Sequence, residues 1–158
     1  MADNDTILAL LTAKFPGKVS ALELAPAQTA VTVEADAIVD LFAYLVENPD
    51  LKMNYLSAIS GVDLTESIGI VYFVSSLEYR HKLTIKTKVD RIGGKINSIQ
   101  NIIPAANWFE REIWELYGVD FVNHPDLRRF LLPDDWDQGN PMLRDWDGRD
   151  FIRMPEVQ

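Results

Sequence analysis

The last forty residues of the chain carry Pro125, Pro133, Pro141 and Pro155, the first three spaced eight residues apart. Proline locks φ and removes a backbone donor, so this spacing forbids a long helix or a central strand there. The same stretch keeps Phe121, Phe130, Leu131, Leu132, Trp136 and Trp146, which is too apolar for ordinary disorder and too irregular to pack on itself. The expectation is a compact α/β domain over residues 1–118 and an extended C-terminal arm over 119–158 that lies on another protein.

Upstream, two residue patterns alternate. Ile7, Leu8, Leu10, Leu11 and Phe15 recur at near-helical spacing within Thr6 to Phe15, which Pro16-Gly17 closes. Val19 to Leu24 and Thr29 to Val33 read as strands of a hairpin around Ala25 to Gln28. A second helix is expected from about Asp36 to Glu47, with Ile38, Leu41, Phe42 and Leu45 on one side and Asn48-Pro49 as its stop. Tyr55 to Leu64 is ambiguous between strand and short helix. Ile68 to Leu77 and Lys82 to Val89 form an expected antiparallel pair, in the second of which Leu83, Ile85, Thr87 and Val89 alternate with lysines. Gly93-Gly94 reads as a hairpin turn, Ile96 to Ile103 as another apolar stretch, and Pro104 as the start of a helix that Gly118 closes in left-handed conformation. The fold class is α+β: a mixed or antiparallel sheet, two packing helices, one further helix and the arm.

Composition excludes several functions. The chain has no cysteine, which removes disulfides, thiolate zinc sites, thiolate-ligated iron–sulfur clusters and thiol nucleophiles. Its 24 acidic against 15 basic residues give a charge of -9, which disfavours nucleic acid and anionic lipid as direct partners. No apolar run is long enough to span a bilayer, and no basic-then-apolar leader opens the chain. The Gly93-Gly94-Lys95 run lacks Walker spacing and no dinucleotide fingerprint exists.

On a helical wheel, Ala105, Phe109, Ile113 and Leu116 form one stripe, with Ala106 and Tyr117 at its edge, and this is the expected core face. Glu110 and Glu112 flank it. Asn107, Trp108, Arg111, Trp114 and Glu115 fall on the far side, where two indoles beside an arginine suit a protein interface, or else a covering loop of the same chain. Carboxylates near buried surface need partners, and Arg128 and Arg129 are the expected ones for Glu110 and Glu112. Arg111 and Glu115 are spaced for an intrahelical pair.

The run Asn107-Trp108-Phe109-Glu110-Arg111-Glu112-Ile113-Trp114-Glu115-Leu116-Tyr117-Gly118-Val119-Asp120-Phe121, with His124-Pro125-Asp126-Leu127-Arg128-Arg129, resembles the signature of the 30 kDa subunit family of respiratory complex I, the C subunit of the bacterial NADH-quinone oxidoreductase. Phe130 to Trp136 and Asn140 to Asp145 resemble the same family's tail. Departures are Glu115 in place of the usual Asp, Asn123 in place of Gly, and an inserted Met142. The resemblance implies a subunit of an NADH:quinone oxidoreductase without redox centres. FMN, iron–sulfur clusters and quinone would belong to partner subunits. It implies docking on the large subunit of the 49 kDa type, the D subunit in bacteria, beside iron–sulfur subunits. It further implies a peripheral place on the cytoplasmic side of the cell membrane, touching the membrane only through the complex. Similar subunits occur in F(420)H(2)- or ferredoxin-linked dehydrogenases and membrane-bound hydrogenases. Trp108, Glu110, Arg111, Glu112, Trp114, Glu115, His124, Arg128 and Arg129 are then the signature and interface residues, with no catalytic or metal residue.

The alternatives are a free-standing acid/base enzyme using Glu110, Glu112 or His124, and a soluble adaptor. Residues two apart on a helix do not face one reaction centre. His124 is expected to hydrogen-bond backbone or a carboxylate, His81 to sit on a solvated edge, and Asp134, Asp135 and Asp137 to form a solvated turn.

Overall fold

The computed structural model describes residues 4–22 and 29–148; the expected turn at Ala25 to Gln28 and Pro155 lie outside them. Helix α1 (Asn4–Lys14) buries Ile7 and Leu11. Strands β1 (Val19–Ala21) and β2 (Ala30–Val33) pair antiparallel, Val19 opposite Val33. A 3-10 turn at Ala35–Ala37 leads into α2 (Ile38–Glu47), which buries the four expected apolar residues. Then come β3 (Tyr55–Asp63), β4 (Ser67–Ser75) and β5 (Lys82–Asp90), followed by β6 (Lys95–Asn97), α3 (Ala106–Tyr117) and β7 (Asp120–Val122).

The ambiguous Tyr55 segment is thus a strand. A five-stranded mixed sheet runs β1-β2-β5-β4-β3, in which only β2 and β5 are parallel. The register explains the alternation in β4 and β5. Ile68, Ile70, Tyr72 and Val74 share a face with Val89, Thr87, Ile85 and Leu83, and all are buried. Phe42 of α2 packs on Tyr72 with ring centroids 5.2 Å apart. Helix α3 approaches the same face at Gly61 of β3, where an added Cβ would stand 2.7 Å from the Tyr117 ring. Any side chain at Gly61 would therefore force the Tyr117 ring to shift.

The Gly93-Gly94 turn does not close a hairpin. It leads β6 out of the large sheet to pair in parallel with β7, Ile96 opposite Phe121, so that α3 bridges a two-stranded ribbon. At Gly94 a Cβ would meet the Asp90 carbonyl at 2.1 Å, which restricts that position to glycine.

Candidate functional site: the α3 helix and its strap

The site is α3 together with the segments that wrap it. Gly118 ends the helix at φ 80 with its N–H on the Trp114 carbonyl, the left-handed cap expected. Asn123 likewise takes φ 64, a backbone state that asparagine tolerates best among non-glycine residues.

The wheel's division of faces needs correcting. The buried residues of α3 are Ala106, Glu110, Arg111, Ile113 and Glu115; Ala105 is exposed, and Phe109 and Leu116 are only half-buried. Trp108 is 58% exposed, whereas Trp114 is half-buried against the core. The two indoles do not share one outward face.

Three polar side chains of α3 are buried because each satisfies backbone groups of a loop. Glu110 is fully buried. It accepts from the Ser98 hydroxyl at 2.5 Å and from the Ile99 N–H at 2.8 Å. Burial pushes its carboxyl up to about 7, against those two bonds, which lower it. The Tyr72 phenol, close enough for the Glu110 charge to act on it, is fully buried, and burial holds its proton on. Its oxygen has no hydrogen-bond partner among the described residues. The His124 ring lies 3.9 Å from Glu110. Its Nδ1 accepts from the Asp126 N–H at 3.1 Å and its Nε2 faces the Asn107 carbonyl at 3.3 Å, an arrangement that suits the neutral Nε2–H tautomer. Burial also lowers its pKa.

Arg111 donates to the Arg128 carbonyl at 2.9 Å and the Arg129 carbonyl at 3.5 Å. Its guanidinium lies 4.6 Å from the Trp108 ring centre and 5.0 Å from that of Phe130, so its charge is held by π faces as well as carbonyls. Glu115 accepts from the Leu131 and Leu132 N–H groups, each at 3.1 Å. The expected Arg111–Glu115 pair is replaced by these two separate grips on the strap.

Farther along, the Asn140 amide donates to the Glu115 carbonyl and the Met142 N–H to that of Leu116. Asp63, at the end of β3, takes two bonds from Arg91 at 3.1 and 2.9 Å and one from the Arg144 N–H at 2.9 Å. Arg91 also pairs with Asp145. The Arg91 bonds foremost, then the Arg144 N–H, hold the Asp63 carboxyl well below the usual carboxylate range. Residues 119–148 therefore begin as a paired strand and fold back over α3, rather than standing clear of the body.

The remaining candidates are placed otherwise than expected. Arg128 pairs with Asp126 at 3.1 Å and Arg129 donates to the Asp134 carbonyl, so neither reaches Glu110 or Glu112. Glu112 is half-buried with no ion pair among the described residues. His81 is buried, not solvated, with its ring 5.5 Å from that of Tyr79. No group of three or more metal-ligating side chains exists among the described residues, and none of their helices is long and apolar enough to cross a membrane. The reading from sequence missed Asp63, Arg91, Ser98 and Tyr72. Only the hydroxyl of Ser98 opening a turn before the signature helix gave a local hint.

A profile of the family described as the 30 Kd subunit of respiratory-chain NADH dehydrogenase matches residues 31–151. The C subunit of NADH-quinone oxidoreductase from Chlorobium phaeobacteroides is 38% identical over 72% of this chain and 70% of its own length. The same subunit of Chloroherpeton thalassium is 38% identical over 84% of this chain, which spans 56% of that relative's length. The C subunit of F(420)H(2) dehydrogenase from Methanosarcina mazei is 34% identical, with 92% and 93% covered. Among solved structures, the trypsin-resistant fragment of Nqo5 superposes with a TM-score of 0.66 at 22% identity, covering 78% of this chain and 98% of that one. A chain of the archaeal membrane-bound sulfane sulfur reductase gives 0.71 at 23%, covering 83% and 77%.

Proposed function

Because the chain belongs to the family of the 30 kDa subunit of respiratory-chain NADH dehydrogenase, we propose that it is a scaffold subunit of the peripheral arm of an NADH:quinone oxidoreductase, without a catalytic centre of its own. FMN, iron–sulfur clusters and quinone reside in its partners, and it docks on the large quinone-site subunit beside iron–sulfur subunits, on the cytoplasmic side of the membrane. Its contribution is to hold that assembly in place while electrons pass from NADH to quinone.

The observation that carries this reading is Trp108. Arg111 and Glu115 are engaged by the chain's own strap, but this indole stays 58% exposed. It is braced from beneath by Arg111 and edge-on by Phe130 at 4.9 Å. A rigid, exposed tryptophan beside a buried arginine is what the centre of a desolvated interface is built from. An acid/base enzyme is not supported, since Glu110 is sealed beneath Ser98 and Ile99 and Glu112 lies apart from it.

The test is native affinity purification of the tagged chain from its own organism, beside Trp108→Ala. The unmodified chain should bring down the large and iron–sulfur subunits with NADH:quinone activity. The variant should fold normally but recover at least tenfold less complex. Equal recovery by both, or a chain that travels alone, would overturn the proposal. A complex active with F(420)H(2) and not NADH would move it to the relative's class.

A further inference from the structure

Helices α2 and α3 pack on one face of the large sheet. Among the described residues no helix covers the opposite face along β5, β4 and β3, and its make-up is at odds with the rest of the molecule. The register sends Lys82, Thr84, Lys86, Lys88 and Asp90 of β5 outward, beside Ser75, Phe73, Val71, Gly69 and Ser67 of β4. Beyond these, Ala58, Ser60 and Val62 of β3 point the same way. The result is a row of three lysines alongside a strip containing Phe73 and Val62, which are 41% and 38% exposed.

In a chain of net charge -9, none of the three lysines has an ion-pair partner among the described residues. Lys18, Lys52 and Lys95 each have one. Lysines on edge strands guard against unwanted pairing, but β5 lies between β2 and β4, so that role does not apply here. At the Lys82 end of the row the surface sinks into a hollow of about 390 Å³, lined by Ser57, Ala58, Phe73, Ser75, Lys82 and Thr84. Hollows of that size accept an apolar group framed by a few polar ones.

We propose that this sheet face is a second docking surface, separate from the Trp108 side, and that its occupant is an acidic protein segment carrying an aliphatic or aromatic anchor. Charge complementarity selects the occupant. Lys86 and Lys88 stand about 7 Å apart and Lys82 about 14 Å from Lys86 along the strand, so carboxylates at alternate positions of an extended segment would meet them while its anchor enters the hollow beside Phe73. Nucleic acid fits less well, since three cations are few and the whole-molecule charge repels a polyanion.

The experiment is zero-length carbodiimide crosslinking, which joins a lysine amine directly to a carboxylate, on native membranes or on the tag-purified assembly. Intrachain Lys18–Asp36 and Lys52–Glu78 products, from pairs at 2.7 and 2.8 Å, serve as internal controls. The expected result is amide-linked peptides joining Lys82, Lys86 or Lys88 to an Asp/Glu-rich segment of one co-purifying protein. In the triple variant Lys82→Gln, Lys86→Gln, Lys88→Gln these should vanish, with both controls retained and the partner lost at several-fold lower salt. Control products without any link from the three lysines would overturn the proposal. So would partner recovery that nuclease abolishes, or a variant that keeps its partner at every salt concentration. Lysine links absent from a parent complex that is still recovered through the Trp108 side would sink this proposal alone, whereas a chain that travels alone would sink the scaffold reading.

Discussion

Replacing Glu115 by alanine should open the strap at one defined place. The Glu115 carboxylate is the acceptor for two consecutive backbone N–H groups, Leu131 and Leu132, each at 3.1 Å. A hydrogen bond to a charged group is worth about 1.5–3 kcal/mol. Loss of the pair, with water taking over part of the role once the segment lifts, should lower the local opening free energy by about 2–3 kcal/mol. At about 1.4 kcal/mol per factor of ten, that corresponds to roughly 30- to 140-fold faster amide hydrogen exchange at Leu131 and Leu132. The change should stay local, because Asn140, Met142 and Arg144 hold the far end of the strap independently. Exchange read by mass spectrometry on peptides spanning residues 128–134, with β4 and β5 peptides as reference, measures it. Glu115→Gln should behave almost as badly, since one oxygen becomes an N–H turned toward a donor. Acceleration of less than threefold in Glu115→Ala would refute the claim that this carboxylate holds the strap.

Three further outcomes follow from the same geometry. The folded chain keeps the Glu110 proton to about pH 7 while the unfolded chain releases it near 4.5. Stability from this group is therefore full below about 4.5 and falls by on the order of 3 kcal/mol as pH rises to 7. His124, lowered by burial, works in the opposite sense, so the check is the difference between Glu110→Gln and the parent chain in urea midpoints at pH 5 and 7.5, which should be flatter in the variant. Asp63, held low by Arg91, supports the fold above the ordinary carboxylate range and loses that effect as pH falls. Asp63→Asn should accordingly make the strap cleavable near Arg144 at neutral pH, and unchanged proteolysis would count against it. Gly118→Ala places a side chain at φ 80 and 2.7 Å from the Asn140 Oδ1. It should cost about 1–2 kcal/mol, seen as a lower denaturation midpoint with unchanged slope.

Local signals were readable and distant ones were not. The lysine alternation in β5, the apolar period of α2 and the glycine that stops α3 depend on neighbours in sequence, and each appears where expected. The wheel of α3 failed because it graded residues by polarity. Glu110, Arg111 and Glu115 are buried because Ser98–Ile99, Arg128–Arg129 and Leu131–Leu132 bring them hydrogen-bond partners from 11 to 18 residues away. The Asp63 to Arg144 link spans 81 residues, a separation no periodicity encodes. Among the described residues the tail holds no long helix or central strand, as its prolines require, but irregular backbone can still be held by side chains aimed at its amides and carbonyls, and residues 128–144 are held that way.

The parallel ribbon of β6 and β7 anchors both ends of α3 to one small frame, while Gly61 seats the helix directly on the large sheet. A pull on the Trp108 ring is therefore handed to two separate anchors. It passes through Arg111 to the Arg128 and Arg129 carbonyls of the strap, and along the helix to the ribbon. In the proposed scaffold role, a helix tied down at both ends in this way would fix the distance between the neighbours it meets.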